Sequence, residues 1–280
     1  MLSVIVVNHN TRKLTAALVA SLHKHIRAYP MEICIVDNNS RDRSARFLRE
    51  RYPEIDLVES PVNLGFGRAV NLAAKRCTGS YLWLLNSDCF VRSDVAAEMV
   101  AYLEEHLDVA AVTSRLVSKD GSFQASCRRF PTFTNVLFSR QSPLSGLLPA
   151  RTDYTLPDFD VPTQVDACAG TSTMIRREHF KKAGGFDPRF FMYCEDTDLC
   201  ASFAALGLKV VYLPQAEVTH LWAESWKRNG WMRYYHHHRS MAKYFRKHFP
   251  GNTIKLGLLE LMLILGLGIR ILLLPLRRRT

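Results

Sequence analysis

The chain has no C-x-x-C pair. Its seven cysteines, at positions 34, 77, 89, 127, 168, 194 and 200 of 280 residues, stand apart in mostly apolar contexts. That sets aside a disulfide framework and fits reduced thiols in a cytosolic protein. A basic leader is also missing: apolar residues 2–7 run straight into Asn8-His9-Asn10, so no signal peptide is expected. There is no internal repeat and no low-complexity tract. Acids are nearly absent from the last part of the chain. Residues 1–226 hold 25 Lys+Arg against 25 Asp+Glu, whereas residues 227–280 hold 12 Lys+Arg and a single acid, Glu260. The whole net charge of +11 therefore sits in the tail. A neutral body with a basic tail argues against a general nucleic-acid binder and suggests a tail that meets an anionic surface.

What is present reads as alternating strands and helices. Strands are expected at 2–7, 32–36, 56–59, 81–85 and 109–113. Helices are expected at 15–26, 44–52, 67–76 and 94–106, the last with Ser93 as N-cap. The β-α-β-α order predicts an α/β fold, a mainly parallel sheet with helices on both faces. Prolines at 131, 143, 149, 157 and 162 mark an irregular stretch over 120–165, read as a lid or an acceptor-specific insertion. Regular structure is expected again as a strand over 167–175, helices at 177–183 and 197–206, a strand at 209–213 and a basic aromatic helix over 231–249. Residues 256–276 are apolar apart from Glu260 and Arg270 and are followed by Arg277-Arg278-Arg279. That is about the length needed to cross a bilayer. Each internal charge costs roughly 2.5–3.5 kcal/mol on insertion, yet both lie off centre. The tail is expected to associate with a membrane, spanning it or lying in its plane.

Two acidic clusters stand out. Leu84-Leu85-Asn86-Ser87-Asp88 is an apolar strand ending in an acid, and Glu195-Asp196-Thr197-Asp198 follows the aromatic run Phe190-Phe191-Met192-Tyr193. A strand that ends in an acid places it at the carboxyl edge of the sheet, where open α/β folds bind ligands. A carboxylate there suits a divalent metal carrying phosphate oxygens. Asp37, at the end of the second strand, can accept the N3–H of a uracil or thymine ring, or cap a local turn. Gly65 and Gly67 allow backbone to approach a ligand closely. Acids opening a helix either answer its dipole or supply a general base.

These blocks resemble the family-2 inverting glycosyltransferases. The resemblance rests on Ser3 to Asn10, Ile35-Val36-Asp37-Asn38-Asn39-Ser40, Asn63-Leu64-Gly65-Phe66-Gly67-Arg68-Ala69-Val70-Asn71, and Gly79 to Asp88. Ala169-Gly170 to Arg176, Gly184-Gly185-Phe186-Asp187, Phe190 to Asp198, and His220 with Ser225 extend it. It covers roughly residues 2–245, and the branch it is most similar to is the bacterial rhamnosyltransferase type that builds envelope glycans.

The resemblance implies a GT-A fold over residues 1–226, with a nucleotide-sugar half (1–115) and an acceptor half (116–226). A basic helix (227–252) and an apolar membrane-associating segment (253–280) follow. It implies that Val7, Asn8, Asp37, Asn39, Asn63, Gly65, Arg68, Asn71, Asn86 and Ser87 contact a UDP- or dTDP-sugar, and that Gly170 and Trp222 face the acceptor. Asp88 and His220 would hold Mg²⁺ or Mn²⁺, which stabilises charge on the departing diphosphate. Asp196 is the implied base, with Glu195 and Asp198 beside it. One base without a covalent nucleophile means single displacement and inversion, through a transition state of oxocarbenium character.

The chain departs from the family pattern at Asn86, where the first acid of an Asp-x-Asp pair is expected. That leaves open a non-catalytic membrane-anchored glycan-binding or scaffold protein. A sugar nucleotidyltransferase is a further alternative, although Asn8-His9-Asn10-Thr11 stands where such enzymes carry a glycine-rich basic loop. The acceptor is expected to be a cell-envelope or lipid-linked glycan, the place of action the cytoplasmic face of the membrane, and a homodimer is open.

Overall fold

A computed structural model describes residues 1–138, 154–221 and 230–277, with side chains over 231–268 in the last span. The first strand, β1 (Leu2–Asn8), is buried along nearly its whole length. It is flanked by parallel β2 (Met31–Asp37) and β4 (Tyr81–Asn86), and β3 (Asp56–Glu59) extends the sheet beyond β2. An apolar run without alternation is what a strand covered on both faces requires.

The register aligns the carboxyl ends. Val7 lies opposite Val36 and Asn86, and Asn8 opposite Asp37. The crossover helices are α1 (Arg12–His25), α2 (Ser44–Arg51), α3 (Phe66–Arg76) and α4 (Val95–Glu105). Helix α1 buries Thr15, Leu18, Val19 and Leu22, the stripe of a helix lying on a sheet. Ser93 does not cap α4: the N-cap is Asp94, and its side chain makes no capping bond.

The sheet is mixed rather than mainly parallel, in the order β3-β2-β1-β4-β11-β6-β12-β5. Strand β11 (Ser172–Arg176) enters antiparallel between β4 and β6 (Val109–Val117). A late segment thus fills a central slot, and the two halves expected from the sequence share one sheet. The strand expected over 167–175 is two strands. Its first part, β10 (Ala167–Cys168), leaves the main sheet to pair with β8 (Cys127–Arg128). Strand β12 (Lys209–His220) is much longer than the sequence suggests. It passes an irregularity between Leu213 and Glu217 and then pairs with β5 (Cys89–Phe90), His220 opposite Cys89. Short strands β7 (Phe123–Gln124) and β9 (Thr163–Val165) pair with β6 and β12, and α5 (Phe133–Leu137) follows β8.

Apolar residues divide between the two faces. Val4, Val6, Trp83 and Leu85 pack with α1 and α4 on one side. Ile5, Leu82 and Leu84 pack on the other with α3, α6 (Arg177–Lys182) and α7 (Glu195–Ala205). A third cluster joins Phe190 and Cys194 to Met241, Tyr244 and Phe245 of α8 (Gly230–His248) and to Leu259 of α9 (Thr253–Arg277). Along α9, Ile254, Leu258, Leu261, Ile264 and Leu265 remain exposed. Among the described residues no helix is long and apolar enough to cross a membrane.

Candidate active site

Three parallel strands end together, and each delivers a polar residue to one edge. Asp37 closes β2 and is 4% exposed. Asn8 lies beside it: its amide donates to Asp37 Oδ1 (2.6 Å) and Ser40 Oγ (3.0 Å), and its carbonyl accepts from Thr11 (2.8 Å) and Thr15 (2.7 Å). Both donors and both acceptor positions of Asn8 are used inside the protein. Asn8 therefore builds the Asp37 pocket. Asn39 is exposed in the left-handed region at φ 64°, which suits asparagine in a tight turn.

Asn38 is a residue that the sequence reading passed over. Its amide donates to Asn63 Oδ1 (3.1 Å) and the Gly65 carbonyl (3.2 Å), and its Oδ1 accepts from Leu64 N–H (2.8 Å). It ties the end of β2 to the loop before α3. Its buried position, next to an acid at a strand end, was the available signal. Gly65 stands at φ +80°, and a Cβ there would overlap the Phe191 carbonyl. The Phe66 N–H donates to that same carbonyl (3.1 Å). This contact brings the 63–71 block against the segment leading to Glu195.

Two members of that block hold protein rather than open space. Asn71 donates to the Phe186 carbonyl (2.7 Å) and accepts from Phe186 N–H (2.9 Å), pinning the Gly184-Gly185-Phe186-Asp187 turn to α3. Exposed Arg68 donates to the Pro188 carbonyl (2.6 Å). Both residues support the loop that carries Phe186 to Pro188.

At the end of β4, Asn86 donates to Thr171 Oγ1 (3.4 Å), and the Oγ of buried Ser87 lies 2.9 Å from Thr11 Oγ1. Gly170 precedes Thr171 and is close-packed, since a Cβ on it would meet the Phe66 ring at 3.0 Å. Asp88 is 5% exposed, and its Oδ1 lies 3.3 Å from His220 Nε2. The β5–β12 pairing creates this neighbourhood across more than a hundred positions of sequence.

The neighbours of Gln124 settle the orientation of His220. The Gln124 amide donates to Ser118 Oγ (2.8 Å) and the His220 carbonyl (2.8 Å), so its Oε1 is the acceptor for His220 Nδ1–H (2.9 Å). In the neutral ring Nε2 then carries its lone pair toward Asp88. A carboxylate oxygen and an imidazole nitrogen at this separation suit neighbouring positions around one octahedral divalent ion. A hydrogen bond on the remote ring nitrogen is the usual support for a ligating histidine. No group of three or more His, Cys, Asp or Glu side chains with metal-site geometry occurs among the described residues. The pair thus fits a metal whose other positions are filled by substrate oxygens and water.

The second acidic cluster opens α7 after two left-handed residues, Tyr193 (φ 65°) and Cys194 (φ 63°). That backbone turn separates the fates of the three acids. Asp196 is partly accessible. Its Oδ2 pairs with Arg128 Nη2 (3.1 Å), and its Oδ1 accepts from Thr197 N–H (2.7 Å) and Oγ1 (3.2 Å). Glu195 is 6% exposed, and its Oε2 has no hydrogen-bond partner among the described residues. Burial, then the adjacent Asp196 charge, push Glu195 up to about 8, so it is protonated at neutral pH.

Asp198 is 1% exposed and is held by Lys247 (2.7 Å) and His248 (2.8 Å) of α8. It is a clamp for the tail rather than an available base. Asp187, on the pinned turn, pairs with Arg189 and Lys247, which hold its carboxyl well below the usual range. Trp222 lies outside the described residues.

The comparisons with known proteins agree with this arrangement. Residues 3–184 match the family described as Glycosyl transferase family 2, and residues 150–223 match one described as the N-terminal domain of galactosyltransferase. The chain is 27% identical over 224 residues to an N-acetylglucosaminyl-diphospho-decaprenol L-rhamnosyltransferase of Mycobacterium tuberculosis, covering 75% of this chain and 73% of that one. It is 26% identical over 229 residues to the rhamnosyltransferase WbbL of Escherichia coli, covering 79% and 83%. A mannosyltransferase from Pyrobaculum calidifontis, solved with GDP-Man and Mn²⁺, superposes with a TM-score of 0.60 at 19% identity over 96% of this chain and 74% of its own. That likeness establishes the GT-A fold. With a family match over well more than half its length, the chain belongs to glycosyl transferase family 2 and is a rhamnosyltransferase-like glycosyltransferase.

Proposed function

We propose that the protein transfers a sugar from a UDP- or dTDP-linked donor, with inversion, to a cell-envelope glycan carried on a lipid. The observation that carries this reading is the Asp88–His220 pair, buried and oriented by Gln124 at the edge where Asp37 also ends its strand. Asp37 accepts the N3–H of the base, a contact that uracil and thymine both offer. The loop tied by Asn38 and Asn63, with Gly65, brings backbone close to the donor sugar. Asp88 and His220 would hold Mg²⁺ or Mn²⁺, which would supply positive charge against the departing nucleoside diphosphate.

Asp196 takes the proton of the acceptor hydroxyl as that oxygen attacks the anomeric carbon from the face opposite the leaving diphosphate. Arg128 and Thr197 fix its orientation. Glu195, neutral beside it, adds no second negative charge. The relatives named above as rhamnosyltransferases support a deoxyhexose donor, and the decaprenol relative supports a lipid-linked acceptor.

The tail completes the reading. Helix α8 carries Arg233, Arg239, Lys243, Arg246 and Lys247, and α9 exposes Ile254, Leu258 and Leu261. A basic helix beside an apolar face is suited to lying on an anionic membrane on its cytoplasmic side. Thermal melting with UDP, dTDP, GDP or CMP, each with and without Mg²⁺ or Mn²⁺, tests the donor assignment, because a ligand of the native state raises its stability. A metal-dependent shift with UDP or dTDP that disappears in Asp88→Ala is expected. Equal nucleotide affinity in that variant removes Asp88 from the site.

A further inference from the structure

Seven buried side-chain nitrogen and oxygen atoms have no hydrogen-bond partner among the described residues, and four of them belong to one short segment. They are Arg176 Nε and Nη2, Arg177 Nε and His179 Nδ1. Both arginines line an open cleft of 610 Å³ together with Thr78, Ser80, Tyr81 and Lys181. This cleft is not part of the active site. Arg176 is opposite Tyr81 at the start of β4, whereas Asn86 ends that strand, so the cleft lies at the other edge of the sheet, about 17 Å away along the strand.

The fold fixes both guanidinium groups. Arg176 stacks over the Tyr81 ring at 5.8 Å, and Tyr81 is itself 3.4 Å from Glu104. Arg177 is anchored through its backbone N–H to Ser80 O (2.9 Å) and through Nη1 to Gly79 O (3.4 Å). Arg176 Nε and Nη2 and Arg177 Nε are thus oriented, buried and without a hydrogen-bond partner among the described residues. Lys181 adds a third cation. The single carboxylate of the lining, Glu178, is exposed and turned toward His179 Nε2 (3.6 Å).

We propose that this cleft binds a phosphate group. Two planar guanidinium forks with an ammonium beside them match the several oxygens of a phosphate or diphosphate better than the two of a carboxylate. Ser80 lines the same cleft, the Thr78 hydroxyl is turned to Glu32 (3.1 Å), and the volume exceeds that of one phosphate. The ligand would be a phosphorylated molecule, held without metal and apart from the donor site.

The test is calorimetric titration of the full-length protein with inorganic diphosphate in the presence of EDTA, so that metal-dependent binding at the active site is silent. Wild type and Asp88→Ala should bind equally, and the double variant Arg176→Gln/Arg177→Gln at least tenfold more weakly. Should the double variant lose its circular dichroism signal, exposed Lys181→Gln is read instead, with a weakening of about threefold expected. A parallel arm measures sedimentation with phosphatidylglycerol vesicles. Loss of diphosphate binding assigns a soluble phosphate. Loss of vesicle binding alone assigns a lipid headgroup. Variants that match wild type in both arms overturn the proposal.

Discussion

Asp88 and Asp198 are withdrawn from solvent almost equally, at 5% and 1% exposure, yet their surroundings differ. Asp198 is matched by the Lys247 ammonium and the His248 ring, and a second acid, Asp187, shares Lys247. Among the described residues, the side chain paired with Asp88 is a histidine whose other nitrogen is already engaged by Gln124. The first carboxylate is compensated by the fold. The second is left for something to bind. Burial alone does not mark a site; burial with incomplete compensation does. Asp196 is intermediate, half matched by Arg128 and still reachable.

The comparison can be tested at each carboxylate. The largest effect is expected at Asp196. Asp196→Asn should lower the transfer rate by roughly 10²–10⁴-fold, the usual contribution of a positioned base, while nucleotide affinity stays at the wild-type value. Undiminished turnover would falsify its role as base.

Asp198→Ala should cost about 3–5 kcal/mol of stability, because Lys247 and His248 lose a buried partner. Urea unfolding measures this, and a loss below about 1 kcal/mol would make the clamp no stronger than a surface ion pair.

Gln124→Ala releases the ring of His220. A 10–100-fold weakening of metal affinity is typical when such a support is removed, and calorimetry with Mn²⁺ reads it directly. An unchanged affinity would show that β12 alone orients the histidine.

A further effect concerns Glu195 and depends on pH. Its folded-state value is raised from 4.5 to about 8. The unfolded chain therefore ionises first, and stability falls as pH rises from 4.5 to about 8. The slope attributable to this group is at most roughly 1.4 kcal/mol per pH unit. Glu195→Gln should remove it, making the variant the more stable protein at pH 8 and leaving the two alike near pH 4. Parallel stability curves across that range would contradict the assignment.

Much of this was legible in the residues. The apolar runs at 2–7 and 81–85 specify buried strands. Acids at the ends of such runs fall at the carboxyl edge, because strand direction alone decides which end they occupy. Asp37 and Asp88 were therefore placed at strand ends from sequence. The composition of the tail likewise announced a basic helix followed by an apolar one.

What the sequence left open was decided by pairing between distant segments. The insertion of β11 between β4 and β6 is a long-range choice that no local periodicity encodes, and it turned a mainly parallel expectation into a mixed sheet. The same holds for His220. Only the late β12–β5 pairing brings it to Asp88, and only the two donor contacts of Gln124 fix which ring nitrogen faces the carboxylate. Three acids within four residues look equivalent in sequence. The left-handed turn at Tyr193 and Cys194 and the approach of α8 made one a clamp, one a buried neutral acid and one the accessible carboxylate. Strand and helix are set by short-range sterics and hydrophobic pattern, whereas the charge state and availability of a side chain depend on which partners the tertiary fold brings to it.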